Sequence, residues 1–321
     1  MNLCLLSVEE FNAFPPSGMR KREIGLSIRA LKLLPDKTYA LVSTSGRGKS
    51  VLLSTLAGYF PSAWRKNTTW REFQFVGKKV PFPLRKVKLP APVYSIKNNT
   101  SLIYLPQSFP NDRTEVISTL EAMMFILCAK DRSMSFAKAK QTIIATVSNS
   151  SYNLDPEILH QPIHQLSGGE RRRVELLTRL EAISSHGPNS NALVLLDEPT
   201  TGLDVLNEIR FIEFLTALKK IANAKGIRLT FVVATHAFSQ LSKETIHFDE
   251  VLVLDRDDPP QGGNETSIIR LVFQGSIANV FDHFNKIRTQ NNKDCEWSDI
   301  INILQTTSSK VLEDLFYGEK I

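Results

Sequence analysis

Cysteine is scarce in this sequence, and the spacing of the few cysteines argues against two kinds of small protein. The three residues, Cys4, Cys128 and Cys295, are odd in number and widely separated. Neither a disulfide framework nor a paired zinc site has this pattern. We therefore expect three unpaired thiols, as in proteins of the reducing cytosol.

Long apolar runs are also missing. No run approaches the roughly 18–20 residues that a membrane-spanning helix needs, so we expect no segment to cross a bilayer. The first residues, MNLCLLSVEEF, lack a basic region and reach acidic residues early, so we expect no secretory signal. No internal repeat or low-complexity tract is visible. With 42% hydrophobic and 22% charged residues, the 321-residue chain fits a soluble globular protein of one large domain or two.

Positive charge is concentrated in one segment, residues 65–97, although the net charge of the whole chain is only +6. The segment has a single acidic residue, Glu72. Its nine basic residues are Arg65, Lys66, Arg71, Lys78, Lys79, Arg85, Lys86, Lys88 and Lys97. A solvated face is the plain interpretation. Contact with anionic lipid headgroups or with nucleic acid is the alternative.

A glycine-rich loop follows the second of two predicted strands, IGLSIRAL (residues 24–31) and TYALVS (residues 38–43). The loop STSGRGKS leads into a helical pattern, and strand, loop and helix in this order are the context of a phosphate-binding loop. Its candidate nucleotide-binding residues are Ser43, Thr44, Ser45, Gly46, Arg47, Gly48, Lys49, Ser50 and Val51.

The residue types in this loop are those that phosphate binding requires. Gly46 and Gly48 let backbone amides wrap the β- and γ-phosphates, and Lys49 reaches the same oxygens. The hydroxyl of Ser50 suits Mg²⁺. Ser43 stands where the motif normally begins with Gly, so the turn must tolerate a Cβ at that position.

A second candidate phosphate site is the sequence LSGGE, residues 166–170, which opens a helix carrying Arg171, Arg172 and Arg173. Small residues leave backbone amides open, and a helix N-terminus with exposed amides attracts anions. Taken alone, the pattern would more often be an ordinary glycine turn.

Two adjacent carboxylates, Asp197 and Glu198, end a predicted buried strand at residues 192–196. Such a pair suits a metal ion beside a general base. Gln107 and His236 follow two other predicted strands, at residues 101–105 and 227–234. A loop Gln and a structural His are the ordinary alternatives, but ligands of α/β sheets bind at these carboxyl ends of strands.

Residues 114–182 have a helical pattern and predict a helical subdomain inserted into an α/β core. His160 and His164 have helical spacing, but Pro162 between them breaks a helix, so we expect a loop and not a metal site. Further strands are predicted at residues 251–254 and 268–273, and amphipathic helices after residue 276.

Together, these motifs resemble, in their order, the nucleotide-binding domain of ATP-binding cassette (ABC) ATPases. The resemblance covers residues 1–260. It implies an α/β fold with a P-loop NTPase (RecA-like) core, an antiparallel β subdomain and an inserted α-helical subdomain at about residues 108–185. Residues 261–321 would then form a C-terminal strand and a helical tail.

The resemblance also implies a role for each matching residue, with ATP and Mg²⁺ as cofactors. Lys49 and the loop amides would bind the phosphates of ATP, and Glu198 would polarise the attacking water. The metal ligands would be Ser50, Gln107 and Asp197. His236 would contact the γ-phosphate. Phe14 would stack on the adenine, with Phe11 as the second choice.

In the family, each ATP lies between two cassettes. The resemblance therefore implies a second cassette, in a homodimer or a heterodimer. The residues that would act on the partner's ATP are Ser167, Gly168, Gly169, Glu170 and Asp204. ATP binding would close this head-to-tail pair.

Two activities fit this domain. The first is the ATPase subunit of a transporter, cytoplasmic and peripheral on a membrane that holds a separately encoded permease. The fragment LVFQG (residues 271–275) resembles the end of many transporter cassettes. The second is a soluble ATPase acting on nucleic acid, which the basic segment and the long spacer between LSGGE and Asp197 favour. A regulatory cassette with weak hydrolysis is the third alternative.

Overall fold

The structure is a computed structural model, and it describes the following residues: 5–13, 24–43, 48–57, 68–71, 74–75, 78–79, 94–96, 100–107, 117–130, 133–184, 189–235, 248–257, 267–276 and 279–280. The chain divides into two compact units. The first combines residues 1–84 with residues 232–321, and the second is the continuous segment 85–231.

Twelve strands and five α-helices are numbered in chain order within the described residues. The strands are β1 (Leu6–Ala13), β2 (Ile24–Leu33), β3 (Thr38–Val42), β4 (Thr68–Arg71), β5 (Gln74–Phe75), β6 (Lys78–Lys79), β7 (Tyr94–Ile96), β8 (Thr100–Leu105), β9 (Ser190–Asp197), β10 (Ile227–Ala234), β11 (Glu250–Asp257) and β12 (Ser267–Gly275). The helices are α1 (Lys49–Leu56), α2 (Thr119–Lys130), α3 (Phe136–Val147), α4 (Gly168–Ser184) and α5 (Val205–Ala224).

The first unit is built on a mixed sheet with the strand order β6-β5-β1-β2-β12-β11-β3. Strands β1 and β2 pair antiparallel, as do β11 and β12, whereas β2 pairs parallel with β12 and β3 with β11. Every residue of β3 is buried, as expected of a central strand covered on both faces. This arrangement contains the antiparallel strands that the sequence predicts.

Two differences from the predictions concern this sheet. Strand β1 was not predicted, because Glu9 and Glu10 interrupt its apolar pattern with residue types that are rare in strands. Strand β12 lies beyond the predicted domain boundary at residue 260, yet it pairs with both β2 and β11. Residues 267–275 therefore belong to the sheet of the first unit.

In the second unit, β8 pairs parallel with β9 and β7 pairs antiparallel with β8. All eight residues of β9 are buried. Because β8 and β9 are parallel, their carboxyl ends meet at one edge of the sheet. This edge brings together the loops that follow Leu105 and Asp197.

The helical stretch predicted for residues 114–182 consists of α2, α3 and α4, and α2 packs against both α3 and α4. A capping box between Ser118 and Glu121 fixes the start of α2, because the carboxylate accepts from the Ser118 amide at 2.9 Å. His160 and His164 are exposed and lie in two separate 3₁₀ turns, Pro156–His160 and Ile163–Gln165. Among the described helices, none is long and apolar enough to cross a bilayer.

Candidate active site

The phosphate-binding loop has the predicted frame in the first unit. Buried β3 ends before Ser43, and α1 begins at Lys49. The Lys49 side chain is only 4% exposed, and its Nζ lies 3.5 Å from the Oγ of Ser43. Ser43 is buried and does not have a positive φ, so serine fits where the motif normally has glycine. Thr44, Ser45, Gly46 and Arg47 lie outside the described residues.

Gly48 caps the N-terminus of α1 in the left-handed conformation, with φ 94° and ψ 18°. A Cβ at this position would lie 2.1 Å from the Cδ1 of Ile269 in β12. Glycine is therefore required here for its backbone conformation and also for the space it leaves. The contact makes β12 part of the support of the phosphate-binding loop.

The substitution Gly48→Ala is expected to weaken ATP binding by about 10-fold or more, because left-handed strain of order 1–3 kcal/mol is joined by the clash with Ile269. Titration calorimetry with ATP measures the change. Gly202→Ala is the matched control: its φ is 80°, but nothing lies within 4 Å of the added Cβ. That variant should lose some stability and keep its ATP affinity. Wild-type affinity in Gly48→Ala would contradict the expectation.

The carboxylate pair lies at the end of β9 in the second unit. Asp197 and Glu198 are both buried, and Glu198 has a φ of 47°, which is strained for a residue other than glycine. The Tyr104 hydroxyl donates to Oδ2 of Asp197 at 3.4 Å. Burial, followed by the charge of Asp197, raises the pKa of Tyr104, so the hydroxyl remains a donor.

One oxygen of Glu198 receives two hydrogen bonds. The Nε2 of Gln107 donates to its Oε2 at 2.8 Å, and the Oγ1 of Thr201 donates to the same oxygen at 3.2 Å. Gln107 follows β8 and Thr201 follows β9, so the parallel pairing of these strands brings the donors to one carboxylate. The structure therefore places Gln107, which the resemblance implies as a Mg²⁺ ligand, in contact with Glu198, the implied base.

The LSGGE sequence forms a capping box at the start of α4. Ser167 Oγ donates to Oε2 of Glu170 at 2.6 Å, and the same oxygen accepts from the Ser167 amide at 3.0 Å. Gly168 and Gly169 occupy the first helical turn, whose amides have no acceptor within the helix. The Cβ position of Gly169 lies 3.6 Å from Leu203, so this turn packs beside the loop that ends in Asp204.

Asp204 has a local structural role as the N-cap of α5. Its Oδ1 accepts from the Asn207 amide at 2.9 Å, and its Oδ2 accepts from the Asn207 side chain at 2.7 Å. These hydrogen bonds hold the pKa of Asp204 below its usual range, so the carboxylate is ionised.

The sequence patterns did not indicate Tyr104, Thr201 or Arg172 as residues of this site. The sequence places the arginines of α4 beside a phosphate site, whereas in the structure Arg172 and Arg173 are buried and donate to backbone carbonyls. Burial lowers the pKa of both guanidinium groups. The sequence does contain an indication of this burial, because Arg172 lies four residues before Leu176, on the same face of the helix, and Leu176 is buried. That spacing marks Arg172 as inward-facing.

The remaining predicted residues have different outcomes. Phe14 and His236 lie outside the described residues. The residue before His236, Thr235, donates its backbone N–H to the carbonyl of Leu41 in β3, the strand that precedes the phosphate-binding loop. Phe11, the second choice for stacking on adenine, is a core residue of β1 with 2% exposure. This position is unsuited to stacking on a ligand. Within the described ranges, no cluster of three or more His, Cys, Asp or Glu side chains could hold a metal ion.

Comparison with known proteins identifies the family of the chain. A family model described as "ABC transporter" matches residues 26–201. The "Energy-coupling factor transporter ATP-binding protein EcfA2" of Mycoplasmoides gallisepticum is 28% identical over 222 residues, which are 69% of this chain and 61% of that protein. The "Vitamin B12 import ATP-binding protein BtuD" of Vibrio cholerae serotype O1 is 32% identical over 133 residues, which are 40% of this chain and 49% of that protein.

The chain thus spans less than two thirds of the length of these relatives. A solved bacterial Atm1-family ABC exporter with ATP bound has a TM-score of 0.52 at 19% identity, over 92% of this chain and 42% of that chain. This likeness shows the fold, an α/β architecture with a P-loop NTPase core. Because the family model covers more than half of the 321 residues, the chain belongs to the ABC transporter family.

Proposed function

We propose that this chain binds and hydrolyses ATP as the energising subunit of an ABC transporter whose membrane permease is a separate polypeptide. The observation that carries the proposal is the buried carboxylate of Glu198, held on one oxygen by Gln107 and Thr201 and adjacent to Asp197. A surface carboxylate with only a structural role does not need burial and two hydrogen bonds to one oxygen. A carboxylate that accepts a proton from a water molecule must be held in one orientation, and these contacts provide that.

In this proposal, the chain's own residues divide the work of hydrolysis. Lys49 neutralises charge on the phosphates, and the amides of the first turn of α1 add the positive end of a helix. Glu198 orients the attacking water and accepts its proton. Gln107 and Thr201 keep the carboxylate in one orientation during this transfer.

The residues proposed to hold Mg²⁺ are Ser50, Gln107 and Asp197. Their donors are a hydroxyl, an amide oxygen and a carboxylate, which are oxygen ligands of the kind that Mg²⁺ takes alongside substrate phosphates. The ion would neutralise the charge that develops on the phosphate oxygens. Asp197 is buried and hydrogen-bonded by Tyr104, so its carboxylate is already oriented in the structure.

The proposal includes a second cassette, in a homodimer or a heterodimer. Ser167 and Gly168 are exposed at the first turn of α4, which leaves this helix end accessible to another chain's phosphates. Asp204 begins α5 next to this turn and is ionised. The amides and the serine hydroxyl of this turn are donors that support binding of a partner's ATP across an interface, and Asp204 lies beside them.

Membrane localisation is the part of the proposal that separates it from an ATPase acting on nucleic acid. The names of both relatives describe ATP-binding proteins of transport systems. We accordingly place this chain at the cytoplasmic face of a membrane, bound to its permease.

The test is fractionation of cells that express the tagged chain, with membranes washed in high salt to remove proteins held by charge alone. A transporter subunit should stay with the washed membranes and leave them when the permease gene is deleted. ATPase activity that rises several-fold on adding DNA or RNA at moderate salt, without membrane retention, would favour the nucleic-acid activity instead.

A further inference from the structure

The guanidinium of Arg172 binds the backbone of both loops that follow the parallel strands β8 and β9. Its Nη2 donates to the Gln107 carbonyl at 3.1 Å, and its Nη1 donates to the Thr201 carbonyl at 3.2 Å. The same Nη1 also donates to the carbonyl of Pro199, the residue after Glu198. One side chain on α4 thus contacts three carbonyls near the proposed base.

These carbonyls belong to functionally related residues. The side chains of Gln107 and Thr201 both donate to Oε2 of Glu198. Each donor is therefore anchored through its own backbone to the same guanidinium. The result is a closed ring of contacts from Arg172 through Gln107 to Glu198 and back through Thr201.

We propose that Arg172 is a positioning residue for hydrolysis, which fixes the carboxylate of Glu198 through the backbones of Gln107 and Thr201. This inference rests on the proposed ATPase function. It does not make Arg172 a catalytic residue, because the guanidinium contacts carbonyls and not the reacting atoms.

Two further observations support the role. Glu198 has a positive φ, and a strained residue keeps its conformation only when its surroundings enforce it. Arg172 is 8% exposed, so water cannot readily replace its hydrogen bonds to the loops. Its planar fork presents donors in two directions at once, whereas a lysine ammonium is a single point charge.

Steady-state ATPase kinetics of Arg172→Lys test the inference. We expect kcat to fall by roughly 10–100-fold, because a carboxylate displaced by about 1 Å loses its alignment with the attacking water. The KM for ATP should change by less than about 3-fold, since the guanidinium of Arg172 is bound to backbone carbonyls and is assigned no role in binding ATP. Arg173→Lys is the matched control: Arg173 is equally buried but donates to the Asn153 carbonyl, away from these loops. It should keep kcat within about 3-fold.

A double-mutant cycle separates positioning from general stability. In single-turnover assays, Arg172→Lys should cause no further loss when Glu198→Gln is already present, because the carboxylate it positions is gone. Thr201→Val is a second variant that removes one donor to Glu198 while leaving the Thr201 carbonyl in place. It should also lower kcat, again without effect in the Glu198→Gln background.

Three results would each overturn the inference. The first is a wild-type kcat in Arg172→Lys, and the second is a loss of kcat in Arg173→Lys as large as that in Arg172→Lys. The third is that the losses from Arg172→Lys and Glu198→Gln simply add in the double variant. If Arg172→Lys does not fold, a wild-type kcat in Thr201→Val would overturn the inference. Should the wild-type chain show no ATPase activity at all, the proposed function fails and the role in hydrolysis fails with it, whereas the anchoring of the loops by Arg172 is still tested by hydrogen exchange. The amides of Glu198 and of residues 200–204 should exchange faster in Arg172→Lys than in Arg173→Lys, and equal exchange rates would contradict that anchoring.

Discussion

Replacing Glu198 by glutamine is expected to lower kcat for ATP hydrolysis by about 10²–10⁴-fold and to leave ATP binding intact. Glutamine has the same shape, and its amide oxygen can still accept from Gln107 and Thr201, which now bond to Oε2 of the glutamate. The substitution therefore removes the basicity of the group and little of its geometry. ATP bound without hydrolysis should hold two cassettes together as a stable dimer.

Two measurements check this result. Phosphate release gives kcat, and size-exclusion chromatography with and without ATP shows whether the variant forms the dimer. Glu213→Gln, an exposed glutamate on α5 outside the site, is the control for loss of a carboxylate and should retain wild-type turnover. Unchanged turnover in Glu198→Gln would rule out Glu198 as the base.

The substitution Lys49→Ala is expected to reduce ATP affinity by roughly 100-fold or more, so that binding is no longer detectable at ordinary concentrations. Lys49 is buried at the first position of α1, and a desolvated ammonium there interacts strongly with phosphate oxygens. Its loss removes the binding charge, whereas the loss of Glu198 removes a step after binding. Lys49→Ala should therefore change the Kd for ATP, whereas Glu198→Gln should change kcat.

Titration calorimetry gives the affinity, and thermal unfolding provides an independent check. ATP should raise the Tm of the wild-type chain and have no effect on the Tm of Lys49→Ala, because only bound ligand stabilises the folded state. Ser43→Gly is the matched control in the same loop. It removes the hydroxyl oxygen 3.5 Å from Lys49 Nζ and should be neutral or improve binding. A Tm of Lys49→Ala that rises with ATP as in the wild type would contradict the assignment.

The sequence predicts the parts of this site that depend on side-chain type and on position at a strand's end. Lys49 and Gln107 come after a strand and Asp197 ends one, and strand periodicity is visible in the apolar pattern. The convergence of Gln107 on Glu198 depends on one further fact, the parallel pairing of β8 with β9, which the structure shows.

Other parts could not be predicted from side-chain patterns. The role of Arg172 depends on backbone carbonyls, which every residue has, so no sequence pattern marks its acceptors. The contact of Gly48 with Ile269 joins segments far apart in the chain, and only the sheet order brings them together. The resemblance implies that Glu170 acts on a partner's ATP. The structure shows that Glu170 also forms a capping box with Ser167 at the start of α4.

The contact between Gly48 and Ile269 also has a consequence for the order in which the chain folds during synthesis. The second unit is one continuous segment, so its residues can fold together once residue 231 has left the ribosome. The first unit needs β12, which lies beside β2 and whose Gln274 bonds to Lys32 across 242 positions of the chain. Such non-local contacts form slowly because a long loop must close first. A nascent chain is therefore expected to form the buried pair Asp197 and Glu198 before β12 supports the loop ahead of α1, so the proposed ATP site is completed late in synthesis.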